Sequence, residues 1–201
     1  MGRKGWAGAP PRDDEEARTR IVEAALTCIE RHGPSQTSLS DVADTLGITR
    51  RTVYRYFATT EDLFTAAAEV ALGGFVRRIE TITADIDDVA GQLVEVVAFI
   101  VERLPEEPML TLLLENDRTN QFSRRMLSAP VIDRCRVILR HSRIDWEGLG
   151  YVSDADIDEL IEFLLRMIQS MVIAPPEPPR DSAALRSYLH RWVGPALTAG
   201  R

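Results

Sequence analysis

A chain of 201 residues suits one or two compact domains and buries a sizeable core without disulfides or a structural metal. Apolar residues at 45% and charged residues at 27% exclude a disordered or fibrous chain and describe a soluble globular protein. The formal net charge of -7, taken as an average, argues against a nucleic-acid partner.

The average conceals a division. Residues 1–60 hold nine of the 24 basic groups and eight of the 31 acidic ones, a net of +1, so the remainder of the chain carries -8. Lys4 is the sole lysine, and every other cation is an arginine, whose planar fork of donors suits paired acceptors. Cys28 and Cys135 are too few and too distant in sequence for a disulfide framework or a zinc site, which fits a reducing cytoplasm. The first eleven residues lack an apolar stretch of signal-peptide length, and the longest apolar run, Val96 to Val101, is far short of a membrane span. A soluble cytoplasmic protein with no membrane partner is expected.

In chain order, residues 1–11 are rich in Gly, Pro and basic groups without apolar periodicity and read as a flexible basic arm. Asp13, Asp14, Glu15 and Glu16 form the acidic first turn that a helix dipole favours, and Ile21, Ala25, Cys28 and Ile29 form the stripe of the helix that follows, ending near Gly33. Four adjacent carboxylates give Arg12, Arg18 and Arg20 the character of a solvated surface. Ser38 with Asp41 spells a capping box for a short helix closed by Gly47. A third short helix runs from near Thr49 to near Phe57, and Thr59 with Asp62 caps a long helix reaching about Ile82. Beyond it, the stripe Val89, Leu93, Val96, Val97, Ile100 and Leu104 stops at Pro105. Met109 to Leu114 reads as a short apolar helix, and residues 119–142 as a helical stretch broken at Pro130. Ser153 with Asp156 caps a helix carrying Ile157, Leu160, Ile161, Leu164 and Ile168. The Pro-rich segment 175–179 links it to a last helix capped at Asp181, which carries Leu185, Tyr188, Leu189, Trp192 and Val193. No alternating strand pattern occurs, so the fold class is all-α with about nine helices. The expected domains are the arm, a helix-turn-helix domain at 12–59 and a larger helical domain at 60–201.

The segment from Ser38 to Phe57 is the informative one. Two short helices joined through one glycine form a helix-turn-helix: Ala43 is small where the helices approach, Gly47 turns the chain, and Val53 and Phe57 fill the space between them. At about 100° per residue, Arg50, Arg51, Tyr54 and Arg55 share the opposite face of the third helix with no carboxylate among them. That face suits the major groove, where a bidentate Arg–guanine contact discriminates by roughly 1–3 kcal/mol. Tyr54, Tyr56, Ser38, Thr49 and Thr52 carry hydroxyls suited to phosphates, and Arg3 and Lys4 could add backbone or minor-groove contacts.

These residues, from about Asp14 to Phe64, resemble the DNA-binding domain of the tetracycline-repressor (TetR) family. The likeness rests on Thr37-Ser38, Asp41-Val42-Ala43, Leu46-Gly47-Ile48, Thr52-Val53-Tyr54, Phe57 and Glu61-Asp62-Leu63-Phe64. The resemblance implies a homodimeric regulator, usually a repressor, that leaves a palindromic operator on double-stranded DNA when a small-molecule effector binds the C-terminal domain. It also implies a bacterial protein associated with the nucleoid when DNA-bound. Thr60 stands where the family often has a phosphate-contacting lysine, and Ser40 where it often has a basic residue.

The resemblance places the effector pocket among the helices after the fourth. Candidate polar lining groups there are Arg103, Glu115, Asn116, Arg134 and His141, with Phe75, Phe99, Phe122 and Trp146 as walls, though each fits an ordinary surface or core position equally. The helix from Ser153 shows Phe163, Met167 and Ser170 on a second face, and the final helix adds Tyr188 and Trp192. A helix apolar on two faces must be covered on both, and the resemblance makes this pair a dimer interface, with a monomeric core as the alternative. Asp154 to Asp158 fails as a calcium loop, because Glu159 and Leu165 stand where glycine and a bidentate glutamate are required. No grouping of His32, His141 or His190 has metal or catalytic spacing, so neither enzyme activity nor a cofactor is expected. The rival readings are an activator or architectural DNA-binding regulator without an effector, and a helical enzyme or lipid-binding protein with a vestigial helix-turn-helix.

Overall fold

A computed structural model describes residues 5–110, 127–142 and 144–195. Among them there is no strand, and the chain divides into two compact units, Met1–Arg77 with Glu107–Leu113 and Arg78–Glu106 with Leu114–Arg201. No described helix is long and apolar enough to cross a membrane.

The N-terminal unit contains α1 (Asp14–His32), α2 (Leu39–Leu46), α3 (Arg50–Tyr56) and the first part of α4 (Thr60–Thr83). Local sequence dictates the ends of these helices. Asp13 caps α1 by accepting from the Glu16 N–H at 2.7 Å, and three carboxylates in the first turn face the positive end of the helix dipole. The Thr59–Asp62 pair caps α4 reciprocally, each side chain accepting from the other's backbone N–H at 3.0 Å. The predicted stripe of α1 meets Leu39, Val42 and Ala43 of α2, Val53 and Phe57 around α3, and Leu63 and Ala67 of α4 in one cluster. Ile21, Val42, Val53 and Leu63 have 0% exposure, and each burial stabilises the unit by about 1.5–3 kcal/mol.

The segment read as a flexible arm is partly built into this unit. Gly5–Gly8 form a 3-10 turn whose Trp6 packs against the cluster. Arg20 holds the turn from α1, donating to the carbonyls of Ala9 at 2.5 Å and Trp6 at 3.0 Å, with its guanidinium 5.4 Å from the Trp6 ring centroid. One turn is too short to show periodicity, and a tryptophan beside a basic run was its only sequence signal.

The C-terminal unit contains α5 (Val89–Arg103), α6 (Ala129–Arg140), α7 (Asp154–Ile173) and α8 (Ser182–Trp192). Asp88, Ser153 and Asp181 cap α5, α7 and α8 as side-chain acceptors. Pro130 lies in the first turn of α6, where its missing N–H costs no intrahelical bond. The predicted stretch from 119 therefore enters α6 at Ala129, while residues 119–126 and the greater part of the Met109–Leu114 helix lie outside the described residues. Leu93, Val94 and Val97 of α5, Ile157, Ile161 and Ile168 of α7, and Leu185 and Leu189 of α8 share one core with Trp146.

Arg186 fastens α8 to α5. Its guanidinium grips Glu95 at 2.5 and 2.7 Å and Glu102 at 2.9 Å, with all three side chains less than a third exposed. Burial pushes the Glu102 carboxyl up, but donation from Arg186 and from the Ser182 hydroxyl outweighs it and holds that carboxyl below its usual range. Arg186→Met leaves two half-buried carboxylates unpaired and is expected to cost about 1–3 kcal/mol, or roughly 2–12 °C in Tm by calorimetry. A depressed carboxylate stabilises the fold at neutral pH and loses that contribution as pH falls through its lowered value. The difference between wild type and variant should therefore shrink in acid.

Candidate nucleic-acid interface

The turn between α2 and α3 is set by three local devices. Ser38 and Asp41 form the capping box, and donation from the Ser38 hydroxyl (2.5 Å) and backbone N–H (2.8 Å) holds the Asp41 carboxyl below its ordinary range. Gly47 adopts φ 65°, ψ 26°, a left-handed conformation that costs an L side chain roughly 1–2 kcal/mol. Thr49 caps α3, accepting from the Thr52 N–H at 3.2 Å and lying 2.9 Å from the Thr52 hydroxyl. Ala43 at 1% exposure and Val53 at 0% lock the two helices together. Phe57 closes the same core as the cap of α3, its N–H donating to the Val53 carbonyl at 3.0 Å. Ala43, Val53 and Phe57 are thus buried between the helices and Gly47 makes the turn.

With Val53 and Phe57 inward, the outward face of α3 presents Arg50, Arg51, Tyr54 and Arg55. Their surroundings within the protein differ. Arg50, Arg51 and Tyr54 make no hydrogen bond, ion pair or ring contact among the described residues, leaving their donors directed to solvent. Arg55 is engaged: it stacks 4.6 Å from the Tyr56 ring centroid, touches the Tyr56 hydroxyl, and lies 3.8 Å from Asp14 of α1. The Tyr56 hydroxyl donates to the same Asp14 oxygen at 2.7 Å. Arg18, read from sequence as solvated, donates to the Tyr56 carbonyl at 2.7 Å and lies 4.4 Å from the Phe57 ring centroid. It thereby satisfies an orphan carbonyl at the end of α3 and fixes that end against α1. Ser40 and Thr60 are half-buried at the starts of α2 and α4, and Arg3 and Lys4 lie outside the described residues.

The described residues expected around an effector lie on α4, α5, α6 and the segment that follows α6. Trp146 is a core residue, donating from its indole to the Leu139 carbonyl at 2.7 Å. Phe75 is buried in α4 and Phe99 half-buried in α5. Arg103 is exposed and pairs with Glu106 at 2.8 Å, Arg134 is exposed on α6, and the exposed His141 ring contacts the Val137 carbonyl at 2.7 Å. Glu115, Asn116 and Phe122 lie outside the described residues. An open groove of about 330 Å³ between α1 and α4, lined by Val22, Phe57, Ala66 and Val70, contains none of the expected pocket residues. Among the described residues no group of three or more His, Cys, Asp or Glu could hold a metal.

The second face of α7 does stand outward, with Phe163 47% exposed, Met167 half-buried and Ser170 exposed. On α8, Trp192 is 64% exposed, and the half-buried Tyr188 lies under the Arg180 guanidinium, 4.1 Å from its ring centroid.

A helix-turn-helix whose last helix is buried on one face and cationic on the other defines a DNA-binding regulatory protein. Residues 21–67 match the family model for bacterial regulatory proteins of the tetR family. This segment is similar to the DNA-binding part of that family, and the chain is a DNA-binding transcriptional regulator. An HTH-type transcriptional regulator of Mycobacterium tuberculosis strain H37Rv is 24% identical over 193 residues, covering 96% of this chain and 90% of its own. A TetR-family regulator from Pectobacterium atrosepticum superposes with a TM-score of 0.66 at 18% identity, covering 95% of this chain and 97% of its own. The TetR family repressor AlkX from Dietzia sp. strain DQ12-45-1b gives 0.62 at 22% identity, covering 91% and 96%.

Proposed function

We propose that this regulator is a homodimeric repressor that reads a palindromic operator with α3 and leaves it when a small molecule binds the C-terminal region. In this reading residues 12–59 are the DNA-reading domain and residues 60–201 the effector-binding and dimerisation domain. The observation that carries it is the division of α3: a fully buried Val53 fixes the helix, and Arg50, Arg51 and Tyr54 project from it without partners among the described residues. Unpaired guanidiniums meet guanine edges without first breaking an intramolecular bond, and a cation unpaired in the free protein releases counterions directly on binding phosphate. Ser38, Thr49 and Thr52, with Tyr54, Tyr56 and Thr60, supply hydroxyls for the flanking phosphates, with Arg3 and Lys4 adding charge. Repression rather than activation is the mode carried by the fold relative AlkX, and release by a ligand requires a coupling of about 1–3 kcal/mol between the two sites.

Footprinting of the DNA that flanks the protein's own gene tests this function. The expected result is a protected palindrome with half-sites about one helical turn apart, roughly 34–36 Å. Protection confined to a single asymmetric half-site contradicts a symmetric dimer, and increased transcription from the bound promoter contradicts repression.

A further inference from the structure

The Asp14–Tyr56–Arg55 cluster is an anion site already filled by the protein's own carboxylate. Two donors from adjacent residues of α3 converge on one oxygen: the Tyr56 hydroxyl lies 2.7 Å and the Arg55 Nη2 3.8 Å from Oδ1 of Asp14. The donors are fixed relative to each other, because the Arg55 guanidinium also stacks on the Tyr56 ring and touches its hydroxyl. The Tyr56 backbone is in turn tied to α1 by Arg18. Arg55 lies one helical turn from Arg51, so this corner borders the outward face of α3. The Asp14 side chain is 86% exposed and that of Arg55 66%, leaving the site open to an approaching ligand.

Helix α1 does not depend on the Asp14 carboxylate. Asp13 is the cap, and Glu15 and Glu16 keep the first turn acidic without it. The pairing is also readily displaced, since an exposed ion pair is worth about 0–1 kcal/mol. A phosphate oxygen is the same kind of acceptor for a hydroxyl and a guanidinium as a carboxylate oxygen is.

We infer that Asp14 acts as an internal phosphate mimic, occupying the position on Tyr56 and Arg55 that a DNA backbone phosphate takes in the complex. DNA binding then exchanges one anion for another at this corner, while Arg50 and Arg51 gain contacts where they had none. Asp14 thereby weakens backbone attraction for any duplex and leaves occupancy more dependent on base contacts. The inference rests on the DNA-binding reading of α3 and names the ligand of one further corner of that interface.

The test uses a labelled mixed-sequence duplex, with affinity followed by fluorescence anisotropy across a range of sodium chloride concentrations. Asp14→Ala is expected to bind roughly three- to fivefold more tightly than wild type at low salt. The matched control Glu15→Ala, which removes a neighbouring exposed carboxylate of the same charge, is expected to change affinity by less than about twofold. Adding Tyr56→Phe to Asp14→Ala should abolish most of the gain, because the emptied site then lacks its hydroxyl donor. Equal gains from Asp14→Ala and Glu15→Ala overturn the inference, as they reflect long-range charge alone. Weaker binding by Asp14→Ala also overturns it and makes Asp14 a support for Arg55. Absence of duplex binding by wild type and every variant overturns the DNA-binding reading itself, and the inference with it.

Discussion

Replacing Arg50 and Arg51 together with alanine is expected to weaken operator binding by on the order of a hundredfold or more, with little change in thermal stability. Each guanidinium that pairs bidentately with a base contributes roughly 1–3 kcal/mol of discrimination, and the two residues are neighbours whose effects need not add. Stability should hold because both side chains are exposed and make no intramolecular hydrogen bond or ion pair among the described residues. Arg51→Lys separates charge from geometry: the ammonium retains phosphate attraction but loses the planar fork. It should keep the salt dependence of binding while losing preference for the operator over mixed-sequence DNA. Anisotropy titrations on the footprinted operator and on a scrambled duplex read both quantities. Undiminished operator affinity in the double variant would remove α3 from base reading.

Arg55 sharpens this contrast. Its neighbours on the helix surface have no partner among the described residues, whereas it already faces Asp14 and the Tyr56 hydroxyl. Arg55→Ala should therefore cost less than either Arg50→Ala or Arg51→Ala, since part of what its guanidinium gains on DNA replaces an interaction lost in the free protein.

What was legible in the sequence was local. Capping pairs three residues apart, a glycine closing a short helix and 3.6-residue stripes depend on neighbours within one turn, and the caps at Ser38, Thr59, Ser153 and Asp181 all form. What escaped was non-local. Arg18 finds the Tyr56 carbonyl 38 residues away, and the Tyr56 hydroxyl finds Asp14 42 residues away. Sequence periodicity places these side chains on faces but does not say which faces meet. Arg18 is exposed, as its four carboxylate neighbours in sequence suggest, yet its guanidinium also lies over the Phe57 ring. The expected effector lining is the least local of these readings, because a pocket is assembled from several helices at once. Two of its members were nonetheless open to a local explanation: Arg103 pairs with Glu106 three residues on, and His141 with the carbonyl four residues before it. Charge followed the same rule, since the net of -7 concealed α3, a helix with three arginines and no carboxylate.

Phe163→Asp combined with Trp192→Asp is expected to convert the proposed dimer to a monomer and to reduce operator affinity by about 10²–10⁴-fold, the scale of lost bivalency. Phe163 and Trp192 are among the large apolar side chains that the C-terminal unit leaves exposed, at 47% and 64%, although the core stripes of both helices are filled. Phe163, Met167 and Ser170 recur at the spacing of one helix face, which presents a continuous strip rather than scattered contacts. A carboxylate at such a position is strongly destabilising once a partner covers it and removes its water. In the isolated protomer the same side chain remains hydrated, so helix content and Tm of the monomer should change little. Val137→Asp is the control: Val137 is 57% exposed on α6, outside this strip, and its replacement should leave both assembly and DNA affinity intact. Sedimentation velocity with anisotropy on the full and the half operator reads the outcome. A double variant that stays dimeric places the interface elsewhere on the chain. One that becomes monomeric yet binds the full palindrome as tightly as wild type shows that operator affinity does not come from two linked heads.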